Sequence, residues 1–186
     1  MGTSEVFRRI TGVLDTLEIP YMLTGSFASA HYGSPRSTQD IDIVIETNPS
    51  QVRLLIETLT TTGGYYAELD AALEAHRRES LFNVIDSRAG WKIDFIFRKS
   101  RAFSREEFAR RQRTIFQDVS IFVATAEDIM VAKLEWAKLG SSQRQLEDVA
   151  AILRLRSGQL DIPYLEKWIS QLGLDDEWTK ARRIAE

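Results

Sequence analysis

The sequence predicts a mixed α/β core to about residue 124, followed by an all-helical segment over 125–186. Three observations carry that prediction. Residues 40–46, Asp-Ile-Asp-Ile-Val-Ile-Glu, form a β-branched apolar run of strand length. Residues 81–86 and 91–97, Leu-Phe-Asn-Val-Ile-Asp and Trp-Lys-Ile-Asp-Phe-Ile-Phe, are two more such runs around Ser87-Arg88-Ala89-Gly90, which reads as a hairpin. From Thr125 onward the apolar residues recur at helical spacing.

The elements follow in order. Val6, Phe7, Ile10, Val13, Leu14 and Leu17 give a helix over residues 4–17, with Thr3 or Ser4 as its cap. Ile19-Pro20 ends it, and Tyr21-Met22-Leu23 is a short strand running into Gly25. A small-residue helix over 26–32 leads to a Gly33-Ser34-Pro35 turn. After the 40–46 strand, Asn48-Pro49 starts a helix whose buried stripe is Val52, Leu55, Ile56 and Leu59. Residues 70–79 suit a polar helix and 104–113 a basic one, with one or two short strands between Thr114 and Ala124. Thr125-Ala-Glu-Asp128 resembles a capping box, opening a helix with Ile129, Ala132, Lys133, Trp136 and Ala137 on its inner stripe. Further helices are expected near 143–156, 163–171 and 175–184.

Composition narrows the function classes. A chain of 186 residues with 44% hydrophobic and 27% charged residues is an ordinary globular protein. The absence of cysteine excludes disulfides and thiolate chemistry, and fits a reducing, cytoplasmic setting. No apolar run approaches the roughly 20 residues that span a bilayer, so no membrane association is expected. The first residues mix charge with apolar side chains, unlike a signal peptide. A net charge of −3 leaves any nucleic-acid surface local.

The chemistry lies in three carboxylates. Asp40 and Asp42 point the same way from one strand, about 7 Å apart, while Ile41, Ile43 and Ile45 point into the core. Two such charges are comfortable only in water or around a cation. Asp94 sits among large apolar residues, where an unpaired carboxylate is expensive. If its strand neighbours the first, all three carboxylates converge into a hard-cation site suited to Mg²⁺ or Mn²⁺. The structural alternatives are a solvated strand face for the pair, and pairing of Asp94 with Lys92 or Arg98. Gly25 and Ser26 end a strand where a helix begins, so backbone N–H groups and the Ser26 hydroxyl are available to phosphate oxygens.

Gly25-Ser26, then Asp40-Ile-Asp42, then Asp94 on a later strand is a pattern similar to that of the nucleotidyltransferase superfamily, the DNA-polymerase-β-like fold. Within it, the run GSFASAHYGSPRSTQDIDIVI and the later TAEDIMVAKLEWAK…RQLEDVAAIL most resemble small bacterial abortive-infection (AbiEii-type) nucleotidyltransferases. The similar stretches cover roughly residues 20–155. Many of those proteins carry a second Gly where Ser26 stands, and longer C-terminal domains.

The resemblance implies a core over 1–124, a mixed sheet flanked by helices, with the helical segment 125–186 packed on it. It implies transfer of a nucleoside monophosphate from a nucleoside triphosphate, with Mg²⁺ or Mn²⁺, onto a hydroxyl of an RNA or tRNA 3′ end, a protein or a small molecule. Asp40, Asp42 and Asp94 are then the catalytic and metal-binding residues, and Asp94 is either a ligand or the base. Gly25, Ser26, Arg36, Thr38 and Lys133 are then the nucleotide-binding residues. Asp148 is placed to position Lys133 or Arg144. The stretch Arg98–Arg113, seven basic residues against two acidic, would serve an RNA acceptor or be a solvated face. A toxin–antitoxin role with a cognate partner protein also follows from the resemblance. The rival function is a catalytically silent, antitoxin-like binding protein of the same fold.

Overall fold

The computed structural model describes residues 2–33, 38–61 and 64–186. The elements, in order, are α1 (Thr3–Thr16), β1 (Tyr21–Thr24), α2 (Gly25–His31), β2 (Asp40–Ile45), α3 (Pro49–Thr61), β3 (Tyr65–Tyr66) and α4 (Leu69–Arg77). They continue with β4 (Leu81–Asp86), β5 (Trp91–Phe97), α5 (Ala102–Arg110), β6 (Gln112–Phe116), β7 (Val119–Val123), α6 (Ala126–Gly140), α7 (Gln143–Leu155), α8 (Ile162–Leu172) and α9 (Asp175–Ala185).

The strands form one mixed sheet in the order β3-β4-β5-β2-β1-β7-β6. β2 lies between β1, antiparallel to it, and β5, parallel to it. The two faces differ. Ile41, Ile43 and Ile45 of β2 and Ile93, Phe95 and Phe97 of β5 are all buried, beneath the layer of α1, α3 and α4. Arg9 of α1 pairs with the fully buried Asp86 at the end of β4. His76 of α4 lies 5.0 Å edge-on to Phe97. The opposite face carries Asp40, Asp42 and Asp94, and stays open beside β4, whose residues alternate exposed and buried from Leu81 to Asp86. That alternation is the signature of a sheet covered on one side only.

The strands at 81–86 and 91–97 form the expected hairpin, and Asn48 caps α3 by accepting from the N–H groups of Ser50 and Gln51. Thr125 caps α6 as its capping-box pattern predicts, accepting from the Asp128 N–H at 3.3 Å. Three expectations shift. The α1 cap is Gly2, so Thr3 and Ser4 are already helical. The basic helix ends at Arg110, because Gln112 and Arg113 enter β6 and pair with Val123 and Phe122 of β7. Trp136, expected on the inner stripe of α6, is 58% exposed, while Ile129, Lys133 and Ala137 of that stripe are buried. The expected Ser34-Pro35 turn lies outside the described residues.

The helices after the sheet are bolted to it by a buried polar network. Asp128 is fully buried. It accepts from the hydroxyls of Thr125 and Tyr164, and Arg110 of α5 pairs with it at 3.4 Å while stacking on the Tyr164 ring at 3.8 Å. Asp128→Ala is expected to cost about 2–4 kcal/mol, because it leaves the buried Thr125 and Tyr164 hydroxyls without their acceptor and takes from the half-buried Arg110 one of its two carboxylates. Chemical denaturation of the two proteins checks this, with Asp128→Asn recovering part of the loss. Among the described residues no helix is long and apolar enough to cross a membrane.

Candidate functional site

The parallel register of β2 and β5 sets Asp42 directly opposite Asp94. Directly opposed residues on neighbouring strands share a face, and Asp40 lies on it too, one alternation before Asp42. The antiparallel register of β1 places Thr24 opposite Asp42. Gly25 and Ser26 therefore turn into α2 just beside that carboxylate. The chain makes this turn with Gly25 at φ +65°. A Cβ built at Gly25 would stand 2.0 Å from an Asp42 carboxylate oxygen, so only glycine fits so close a crossing.

These residues line one wall of a cavity of about 280 Å³. The facing wall comes from α6 and α7. Lys133 is 5% exposed and donates to Asp148 at 2.6 Å and to Gln145 at 3.0 Å. Of the two partners open to Asp148 in the sequence, Lys133 is the one it holds. Gly25, Ser26, Asp40, Asp42, Asp94 and Lys133 thus meet in one place. Thr38 accepts from the Asp40 N–H at 3.1 Å and so shapes the entry to β2. Arg36 lies outside the described residues.

The electrostatics follow from that crowding. Burial pushes the Asp42 carboxyl up to about 6, and the charges of Asp94 and Asp40 push the same way. A hydrogen bond from the Ser26 N–H and the charge of Lys133 oppose the rise. The N–H of Ser26 is therefore committed to Asp42. The two oxygens of Asp94 accept from the Asn83 amide at 2.5 Å and from the Lys92 ammonium at 2.8 Å. Among the described residues, no three acidic or histidine side chains are gathered closely enough to form a ready-made metal cage. The donor set nonetheless fits a hard divalent ion: three carboxylates on one face, mutually repelling, with the Lys92 ammonium standing where positive charge is needed.

Sequence reasoning missed Asn83, Gln145 and Glu107. Asn83 could have been found, because a hairpin closed at Asp86 and Trp91 sets Asn83 opposite Asp94. Gln145 carries no such signal. Glu107 lines a second cavity, of about 390 Å³, that adjoins the first. Burial, then the negative charges of Asp128 and Glu135, push its carboxyl up to about 8 against the pull of Arg101 and Lys99. A carboxyl whose folded pKa is raised keeps its full contribution to stability below its unfolded value, near 4.5. The contribution falls as pH rises to about 8, at up to about 1.4 kcal/mol per pH unit. Glu107→Gln is expected to remove this slope, and unfolding midpoints measured between pH 5 and 9 check it.

The basic stretch Arg98–Arg113 is largely engaged within the protein. Arg98 pairs with Glu46, Arg101 with Glu135, and Arg110 with Glu127 and Asp128. Arg111 donates to the Phe108 carbonyl, and Arg113 donates to Ser120. Lys99 and Arg105 remain exposed.

No protein-family model and no curated protein matches the chain. Solved structures do match. The solution structure of the antibiotic-resistance factor ANT(2'')-Ia is 11% identical over 98% of this chain and 97% of that one, with a TM-score of 0.59. An antigenic nucleotidyltransferase-like protein from Paracoccidioides brasiliensis is 13% identical over 96% and 91%, at 0.55. The lincosamide antibiotic adenylyltransferase LnuA, with lincomycin bound, is 15% identical over 82% and 96%, at 0.54. At such identities the likeness shows the fold, which is that of the nucleotidyltransferases, over the sheet and the helices that follow it.

Proposed function

We propose that this chain is a nucleotidyltransferase that moves a nucleoside monophosphate from a nucleoside triphosphate to a hydroxyl acceptor. The observation that carries this is the β2–β5 register, which sets Asp42 opposite Asp94 beside Asp40, with the Gly25-Ser26 turn at the same spot. Its support from outside the chain is the shared fold of ANT(2'')-Ia and LnuA.

Asp40, Asp42 and Asp94 would hold Mg²⁺ or Mn²⁺, which when bound neutralises charge on the triphosphate and lowers the pKa of an adjacent hydroxyl. The other work falls to the chain. The Ser26 hydroxyl and the Lys133 ammonium hold phosphate oxygens, with Lys133 aimed by Asp148. Arg36 and Thr38 belong to the segment before Asp40 and border the nucleotide. Asp94 takes the proton of the acceptor hydroxyl as its oxygen bonds to the α-phosphorus. The α-phosphorus bond to the pyrophosphate oxygen breaks, and pyrophosphate leaves. Ligand binding moves Lys92 off Asp94 and frees that oxygen. The helices from α6 onward act as the cover of the site over a core ending near residue 124.

The acceptor classes are a small molecule, in line with the antibiotics named for ANT(2'')-Ia and LnuA, or an RNA 3′ end or protein side chain. The last two go with a bacterial toxin–antitoxin role, supported by the likeness of residues 24–46 to AbiEii-type proteins, with the exposed Lys99 and Arg105 available to RNA. A second reading, a silent binding protein, is favoured by the engagement of both Asp94 oxygens within the protein.

Incubation with each α-³²P-labelled ribonucleoside triphosphate, Mg²⁺, and cell RNA, protein and small-molecule fractions separates the readings. Label moving to any fraction, and not with Asp42→Ala, supports the enzyme. Nucleotide binding without transfer favours the silent protein, and neither binding nor transfer refutes the site.

A further inference from the structure

The second cavity shares a wall with the carboxylate cleft, formed by Thr24, Leu81, Ile96, Ala132 and Trp136. Ile96 follows Asp94 by one alternation on the same face of β5, about 7 Å along the strand. Leu81 pairs with Ile96 across the hairpin. The cavity therefore adjoins the Asp94 end of the cleft and continues past Ile96 along Phe97, Arg98 and Lys99. Its size, about 390 Å³, falls in the range of small-molecule sites. Large apolar side chains border it while remaining open to solvent: Trp136 is 58%, Leu139 80% and Leu81 40% exposed. An aromatic and two leucines held open around a concave site are a surface awaiting an apolar body.

The cavity's charged groups are mostly spent. Arg78 pairs with Glu74, Arg98 with Glu46, and Arg101 with Glu135 while also donating to Ser104. The Glu79 carboxylate accepts from the N–H and hydroxyl of Ser100. Glu107 differs. It is 8% exposed, lines the cavity, and makes no hydrogen bond or ion pair among the described residues. Its carboxyl opens on the cavity without a hydrogen-bond partner, and a ligand ammonium is a group that can pair with it there.

We propose, building on the transferase reading, that this cavity is the acceptor pocket. Its substrate class is a small hydroxylated amine, with an apolar body against Trp136, Leu139, Leu81 and Ile96 and one ammonium on Glu107. The opposite end presents the hydroxyl to Asp94. A single amine is specified because, of the described carboxylates that line the cavity, Glu79 accepts from Ser100 and Glu135 pairs with Arg101, which leaves Glu107 as the one open to a cation.

The test follows the Trp136 indole N–H by NMR, assigned with Trp136→Phe, while three probes are added at pH 8.5: phenylalaninol, its amine-free counterpart 3-phenylpropan-1-ol, and the polycation tobramycin. Phenylalaninol should shift the signal saturably and bind at least fivefold more tightly than either other probe. Glu107→Gln should erase its advantage over the neutral alcohol, and Trp136→Ala, a change at an exposed position, should weaken both alcohols. The proposal is overturned if the neutral alcohol binds as well, if tobramycin binds best, if the amine preference survives Glu107→Gln, or if no probe shifts the signal. Mg²⁺–ATP titration of the same samples and of Asp42→Ala reports on the nucleotide cleft separately. Loss of the nucleotide response with an intact amine response would therefore sink the transferase reading and leave the pocket standing.

Discussion

Asp42→Asn is expected to lower nucleotidyl transfer by at least about a thousandfold while making the protein without ligand more stable. The two effects have one cause. Asp42 is held beside Asp94 and Asp40 in a partly buried setting that pushes its carboxyl up to about 6 from 3.8. A raised carboxyl contributes its full stability below the unfolded value and loses it as pH rises through the folded one. At pH 8 the charged form therefore costs roughly 2–3 kcal/mol. Asparagine has nearly the same shape and can still accept from the Ser26 N–H, but it carries no charge to be repelled. The unfolding midpoint at pH 8 should rise by several degrees, at about 2–4 °C per kcal/mol for a domain of this size. At pH 4 the variant should match the parent. Mg²⁺–nucleotide should stabilise the parent and leave the variant unmoved, because the hard anionic ligand is gone. A variant that loses activity and stability together would show that Asp42 is a structural carboxylate satisfied by its neighbours.

How much of this could be read from the chain depends on which contacts are local. The strand 40–46 was legible because β-branched residues and a strict alternation fix both the element and its two faces. Ile41, Ile43 and Ile45 are buried as that alternation requires. Asp94 stood out because a carboxylate among Ile93, Phe95 and Phe97 needs an explanation. Its neighbour strand was a conditional inference, since register between strands fifty residues apart is set by tertiary packing. The α6 stripe failed at Trp136 for a different reason. Helical periodicity finds the side turned toward other residues, and α6 turns toward the sheet, the helical tail and a solvent-filled cavity at once. A tryptophan facing the cavity has the same spacing as one facing the core. The switch from α5 to β6 was invisible because no glycine or proline marks residues 110–112, and the basic run Arg105–Arg113 continues across it. Glu107 could not have been singled out, because the carboxylates that act on it, Asp128 and Glu135 of α6, are remote in sequence and meet it only in the fold.

Gly25→Ala should be the most damaging single-methyl change in the protein. The residue sits at φ +65°, where an alanine costs about 1–2 kcal/mol from its own backbone. The added carbon would also lie 2.0, 2.5 and 2.8 Å from the Oδ2, Cγ and Cβ of Asp42. Oδ2 could swing away, but Cβ is fixed to β2, so the turn itself must move. The expected result is a stability loss of about 2–4 kcal/mol, the upper end of ordinary point changes. Activity should fall at least about a hundredfold, because a shift of about an ångström in the carboxylate is enough to spoil in-line geometry. A thermodynamic cycle with Asp42→Gly isolates the collision. In that background the clashing atoms are gone and only the backbone cost of alanine remains, so Gly25→Ala should lose about 1–2 kcal/mol there, against the larger figure in the parent. Equal losses in both backgrounds would mean that Gly25 serves the turn alone. A smaller loss beside Asp42→Gly would mean that the strand β2 carboxylate and the β1–α2 turn were fitted to each other. Such a fit is what a site needs if it must bring backbone, carboxylates and phosphate into the same few ångströms.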